Sequence, residues 1–194
     1  MTTARSLFAE HGFHGTGIAQ IAAESGVKVG QLYRDFPAKE AIVAAIVETD
    51  LLDFLDEAAL RRAIDAGDLD EVRRWVGGFV CGRDREHSRL YPEICAEAAR
   101  NARIGAIMDG IEQRVRGDVL LALSALAPER TAAAGVVADL LLTLKIGVAN
   151  QLTVRPDRDM SCLCARIEEL IDVELENLRG SAERAYSAGV ASAA

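Results

Sequence analysis

"SGVKVGQLYRDFPAK", residues 25–39, is unusually rich in polar, hydrogen-bonding side chains for so short a segment. Lys28, Gln31, Tyr33, Arg34 and Lys39 crowd around Gly30 and Pro37. A core helix does not carry so many hydrogen-bonding side chains in so short a space, so the segment points to a partner outside the fold. Its ends are punctuated. Gly26 suits the left-handed end of a preceding helix, and Pro37 biases Phe36 out of the helical region. A helix over Lys28–Arg34, barely two turns long, is expected between them.

Upstream, Leu7 and Phe8 belong to a short first helix that ends near Gly12, with Phe13 as an apolar plug behind it. Thr16 is the expected N-cap of a second helix through Ile18, Ile21 and Ala22. Three short helices with a glycine turn between the second (Thr16–Ser25) and the third match a helix-turn-helix. Ile18, Ile21, Ala22, Val27 and Leu32 would hold the angle. Lys28, Val29, Gln31, Tyr33 and Arg34 would then lie on or near the surface that enters a major groove. Lys28 and Arg34 suit phosphate or guanine, Gln31 adenine, and Val29 a thymine methyl. Tyr33 and Lys39 suit phosphates that set the register. Gly30 admits close approach, at about 1 kcal/mol of helix stability relative to alanine. The plain alternative is a solvated connection between two glycines.

Downstream the pattern stays helical, with apolar residues three or four apart and no sustained alternation. Ile42, Val43, Ile46, Val47, Leu51, Phe54 and Leu55 describe a long amphipathic helix starting at Lys39. Further helices are expected around Leu69–Val80, from Pro92, over Ile104–Val119, and through Val136, Leu140, Leu141, Leu144 and Val148. Pro92 and Pro128 suit first-turn positions. A final helix carries Met160, Leu163, Ile167, Leu170, Ile171, Leu175 and Leu178 between acidic flanks. That stripe fits a core helix or a dimer seam equally well. Residues 181–194, rich in Ala, Ser and Gly, read as a C-terminal tail.

Composition agrees with an all-α chain: half of its 194 residues are hydrophobic, aromatics are only 5%, and Ala and Leu supply most of the apolar surface. The formal net charge of -8 gives no global signature of nucleic-acid binding, so any such site is local. Residues 1–40 balance four basic against four acidic side chains, which assigns the acidity to the remainder. Cys81, Cys95, Cys162 and Cys164 imply no disulfide framework, and with neither a signal peptide nor a long uncharged apolar run the expectation is a cytoplasmic protein without a membrane partner.

The stretch "ARSLFAEHGFHGTGIAQIAAESGVKVGQLYRDFPAKEAIVAAIV", residues 4–47, resembles the N-terminal domain of TetR/AcrR-type transcriptional regulators. Leu7-Phe8, Gly12-Phe13, Thr16, Ile18, Ile21-Ala22, Gly26-Val27, Gly30, Leu32-Tyr33, Phe36 and Lys39 fall in order and at family spacing. "YPEICAEAARNARIGAIM", residues 91–108, is similar to a stretch common in AcrR-like members. The resemblance implies a helix-turn-helix DNA-binding domain over residues 1–40, a helical effector-binding and dimerisation domain over 41–180, and a tail. It implies a homodimer on a pseudopalindromic operator, released by a small hydrophobic or amphipathic effector, with no cofactor and no catalysis.

Site assignments follow from the same resemblance. Thr16, Lys28, Val29, Gly30, Gln31, Tyr33, Arg34 and Lys39 form the candidate DNA-binding set. Trp75, Phe79, Tyr91, Cys95, Ile104, Ile107 and Met108 lie on the middle helices that line family pockets. The last two helices become the dimer's four-helix bundle, with Leu140, Leu144, Val148, Leu163, Ile167, Leu170 and Ile171 as candidate dimer residues. Departures also stand out. Lys28 replaces the usual Ser or Thr cap, Asp35 stands where His or an aromatic approaches phosphate, and the helix before Arg5 is short by about two turns against the family pattern.

Rival readings are a thiol or metal sensor built on the cysteines and His87, and a helical dimer that has lost DNA binding through Asp35. An enzyme finds little support. Asp84-Arg-Glu-His87 is a single approximation to a Glu-x-x-His pair, and neither His11 nor His14 sits in a triad-like or zinc-binding motif.

Overall fold

The computed structural model of the chain describes residues 1–82, 90–128 and 131–191; side chains at 50–54, 131–132 and 180–191 are not described. The described residues are helical throughout, without a strand. The elements are α1 (Thr2–Gly15), α2 (Ile18–Ser25), α3 (Val29–Asp35), α4 (Lys39–Leu55), α5 (Glu57–Ala66), α6 (Leu69–Cys81), α7 (Leu90–Ala98), α8 (Ala102–Leu126), α9 (Thr131–Val154) and α10 (Ser161–Ala191). They group into two compact units, Met1–Leu55 with Asp84–Gln113, and Asp56–Arg83 with Arg114–Ala194.

In the first unit, Gly12 at φ 71° breaks α1 where the sequence places the end of the first helix. Phe13 turns back and stacks on Phe8, with ring centroids 6.1 Å apart. Gly26 at φ 71° ends α2 in the left-handed conformation that glycine adopts without strain. Ala4, Leu7, Phe8, Ile21, Ala22 and Leu32 share one core with Ile42, Val43, Ile46, Leu90, Ile94 and Ile104. Leu32, the buried residue of α3, anchors that helix with about 2 kcal/mol of apolar burial.

Thr16 does not cap α2. The N-cap is Gly17, one residue later, without a side-chain cap bond. The Thr16 hydroxyl turns inward, within donating distance of the carbonyls of Leu7 at 3.0 Å and Gly12 at 2.9 Å. Lys39 closes the same loop from the start of α4. Its Nζ donates to the Phe13 carbonyl and, at 2.9 Å, to that of Thr16, and lies 4.2 Å from the Phe13 ring centroid. Glu40 beside it is held below the usual carboxylate range by its own backbone amide, reinforced by Asn101 and the charge of Arg103.

The second unit begins with a helix that the sequence reading passes over. Asp56, at φ 40°, interrupts the chain after α4, and its side chain caps α5 by accepting from the Ala59 amide at 3.0 Å. Gly67 closes α5 in the left-handed region, and Asp68 caps α6 through the Glu71 amide at 2.9 Å. Leu60, Val72, Val76, Leu123, Leu141 and Ile171 are among its fully buried side chains. Pro128 lies in the turn ahead of α9 rather than in its first turn. The α9 segment Ala133–Val154 is long and apolar enough by length and composition to cross a membrane, but it carries Asp139 and Lys145 and so is not an uncharged run. The backbone of α10 continues helical to Ala191, through most of the stretch expected as a tail.

Asp118 is buried on α8, with Oδ1 3.9 Å from Arg61 Nη2 and Oδ2 without a hydrogen-bond partner. Burial first, then the neighbouring Glu57 carboxylate, pushes its carboxyl up. A carboxyl raised by folding favours the folded state as pH falls from the raised value to the ordinary range near ~4, and costs stability above it. Asp118→Asn is therefore expected to unfold at the same or higher denaturant concentration near neutral pH, by up to roughly 1 kcal/mol, with the gap closing toward pH ~4. Loss of stability at neutral pH would contradict this. For Lys39→Met the expectation is a loss of about 2–4 kcal/mol, because two backbone carbonyls lose a charged donor. Thermal melting without DNA reads that directly, and an unchanged melting temperature would refute the clamp.

Candidate nucleic-acid interface

The α3 helix is presented outward by its own register. Leu32 points to the core, which leaves Lys28, Val29, Gly30, Gln31, Tyr33, Arg34 and Asp35 exposed. Tyr33 and Val29 are 52% and 43% exposed, unusual for apolar or aromatic side chains flanking a core anchor. Open space surrounds Gly30 within 4 Å of where a Cβ would stand, so its small size is not a packing need of the chain itself. Lys28 is the N-cap and makes no side-chain cap bond, which leaves its ammonium at the entry of the exposed face. Cationic, amide, phenolic and methyl groups thus share one seven-residue helix, the chemistry that reads base edges and phosphates.

Six of the eight sequence candidates for DNA contact therefore share this surface: Lys28, Val29, Gly30, Gln31, Tyr33 and Arg34. Thr16 and Lys39 do not present their polar atoms there. The Thr16 hydroxyl is committed to the carbonyls of Leu7 and Gly12 in α1, Lys39 Nζ to those of Phe13 and Thr16, and Thr16 is 1% exposed. Asp35, at the far end of α3, adds an exposed carboxylate to the same helix.

The effector candidates divide between the two units. Trp75 and Phe79 stack on one another in α6, ring centroids 5.9 Å apart, with Phe79 buried. Tyr91, Cys95, Ile104, Ile107 and Met108 belong to the other unit. Ile104 is fully buried core, and Ile107 and Met108 pack against that core. Cys95 is exposed on α7, and its thiol is pushed up by burial of the sulfur and lowered by a hydrogen bond with Tyr91 one turn away. Ile104 also lines a shallow crevice with Phe8, Phe13, Val43, Glu93 and Glu97. Sequence reasoning passed over those glutamates because their spacing reads as an ordinary solvated face. Glu97 is nonetheless buried, 3.0 Å from His14 Nε2 and 3.2 Å from Arg100 Nη2.

The dimer candidates also separate. Val148, Ile167 and Ile171 are buried within the chain, Leu140, Leu144 and Leu170 are half-buried, and Leu163 is exposed. Of the larger uncovered apolar groups on α9 and α10, Ile146, Val154 and Val173 fall off the stripe that periodicity picks out, whereas Val136 lies on it and is still exposed. A stripe search finds the face that packs most regularly, which here is turned largely inward.

No group of three or more metal-ligating side chains occurs among the described residues. The Asp84-Arg-Glu-His87 sequence lies outside them.

Residues 1–46 match the family profile described as "Bacterial regulatory proteins, tetR family". The HTH-type transcriptional regulator UidR of Escherichia coli K12 is 28% identical over 111 residues, 56% of this chain and 54% of that protein, so the chain spans about half the length of the curated relative it matches. Among solved structures, Salmonella enterica GusR superposes with a TM-score of 0.67 at 23% identity, over 90% of this chain and 92% of that one. A candidate transcriptional regulator from Pseudomonas aeruginosa PAO1 gives 0.71 at 21%, over 94% and 89%. At such identities the superpositions speak for the fold alone. The profile lies on α1–α3 and the start of α4, so it is the N-terminal segment that resembles the TetR family of bacterial regulatory proteins, while the rest of the chain is matched in fold.

Proposed function

We propose that the chain is a ligand-responsive transcriptional regulator that binds a pseudopalindromic operator as a homodimer and leaves it when a small hydrophobic or amphipathic effector binds. The observation that carries this reading is α3, anchored by Leu32 and offering Lys28, Val29, Gln31, Tyr33 and Arg34 outward. Residues 1–40 act as the DNA-binding domain and 41–180 as the effector-binding and dimerisation domain. Cytoplasmic residence accords with such a role.

Dimerisation draws support from α9 and α10. A lone chain leaves Val136, Val154 and Val173 more than half exposed and Leu163 and Ile146 more than a third exposed. A second copy of the same two helices would cover them, with Leu140, Leu144 and Leu170 at the edge of the seam and Val148, Ile167 and Ile171 supporting it from behind. Among the effector candidates, Trp75 and Phe79 in one unit, and Tyr91, Cys95, Ile104, Ile107 and Met108 in the other, are each largely apolar and favour a ligand with substantial apolar surface. Two recognition helices held one DNA turn apart, ~34–36 Å, read paired half-sites, and an effector that favours another spacing releases them.

Selection of genomic fragments by the purified full chain tests the reading. A pseudopalindrome is expected, bound about tenfold more weakly by Tyr33→Ala, a change worth ~1.4 kcal/mol. Lys28→Ala is expected to weaken binding and reduce the log–log salt slope by about 1 per half-site if Lys28 contacts phosphate. Absence of any enriched site at low salt would overturn DNA binding and favour the reading in which Asp35 accompanies a lost interface.

A further inference from the structure

Within the second unit, α6 and α10 meet along a polar seam that operator binding does not use. Arg73, Gly77 and Cys81 recur every fourth residue on α6 and face Asp172, Glu168 and Cys164, spaced likewise on α10 but in the opposite order. Arg73 lies 2.6 Å from Asp172 Oδ1 and 2.8 Å from Glu168 Oε2, and it also donates to the Glu168 carbonyl. A Cβ at Gly77 would stand 2.3 Å from Glu168 Oε1, so the carboxylate occupies the notch that glycine leaves. One turn further, the Cys81 thiol donates to the Cys164 backbone carbonyl, with Sγ 4.0 Å from the oxygen, and the two thiols are close enough to interact. The notch lets the helices approach closely where the cysteines face one another. A disulfide there requires a Cα separation of ~4.4–6.8 Å.

We propose that Cys81 and Cys164 form a paired-thiol site that a hydroperoxide converts into an intramolecular disulfide, stapling α6 to α10. Cys164 sulfur attacks the terminal peroxide oxygen. The O–O bond breaks, the alcohol (water, for hydrogen peroxide) leaves with a proton, and Cys164 becomes a sulfenic acid. Cys81 sulfur then attacks Cys164 sulfur, the S–O bond breaks, and the departing hydroxide takes the Cys81 proton as water. Two thiols lose two electrons, and the peroxide gains them. Burial pushes the Cys81 thiol up to about 12, so it stays protonated near neutral pH and reacts second. Lys145, which donates to the Gly82 carbonyl at the end of α6, brings a cation to Cys81 as its proton leaves.

Full-length Cys162→Ser protein, which removes the exposed neighbouring thiol, is oxidised with hydrogen peroxide, alkylated and digested with trypsin without reduction. The expected product joins the peptides 75–83 and 159–166. The oxidised protein should also melt at least ~5 °C higher than the reduced one, reversibly with dithiothreitol. Cys81→Ser in the same background should lose the cross-link and accumulate higher oxides on Cys164. Recovery of both thiols unreacted, or over-oxidation of Cys164 with Cys81 intact beside it, would overturn the proposal. None of these readouts involves DNA, so they stand or fall separately from the operator reading.

Discussion

The ammonium of Lys39 is the small feature on which the presentation of α3 depends. It draws together the carbonyls of Phe13 and Thr16, and thereby fixes the loop after α1 against the start of α4. The Thr16 hydroxyl ties the same loop to α1 from within. Between these two constraints, α2 enters at a set angle, Gly26 turns the chain, and Leu32 docks α3 into the shared core. With the inward side fixed, the remaining positions of a seven-residue helix have nowhere to go but out.

The second unit is organised by a different device. Its helices rely on apolar burial, yet the line where α6 meets α10 is polar: an arginine between two carboxylates, a glutamate over a glycine, and two facing thiols. Partly exposed ion pairs of this sort add little stability but fix register, because any slip along the helices separates Arg73 from both partners. The same register brings Cys81 to Cys164.

The helix-turn-helix was legible because its signals are local. Gly12 and Gly26 mark conformations that other residues resist, Pro37 limits α3, and Leu32 betrays the inward face. Thr16 and Lys39 show where local reading stops: both have DNA-contact chemistry, but long-range carbonyls, 23 residues away in one case, claim their polar atoms. The α5 helix was missed because Asp56 caps it from a left-handed conformation, while the apolar pattern runs on through Leu55 as though nothing interrupted it. Pocket and dimer residues were the least legible. Core, cavity and seam draw on the same Leu, Ile and Val, so spacing alone cannot separate Ile171, sealed within the chain, from Leu163, left uncovered.

The proposed function requires the exposed face of α3 to meet DNA. Amide hydrogen exchange of the full chain, with and without a duplex carrying the enriched site, tests it most directly. New protection concentrated over residues 26–36, with little change in the interior of α6, is expected. Protection confined to other segments, or none at saturating duplex, would contradict it.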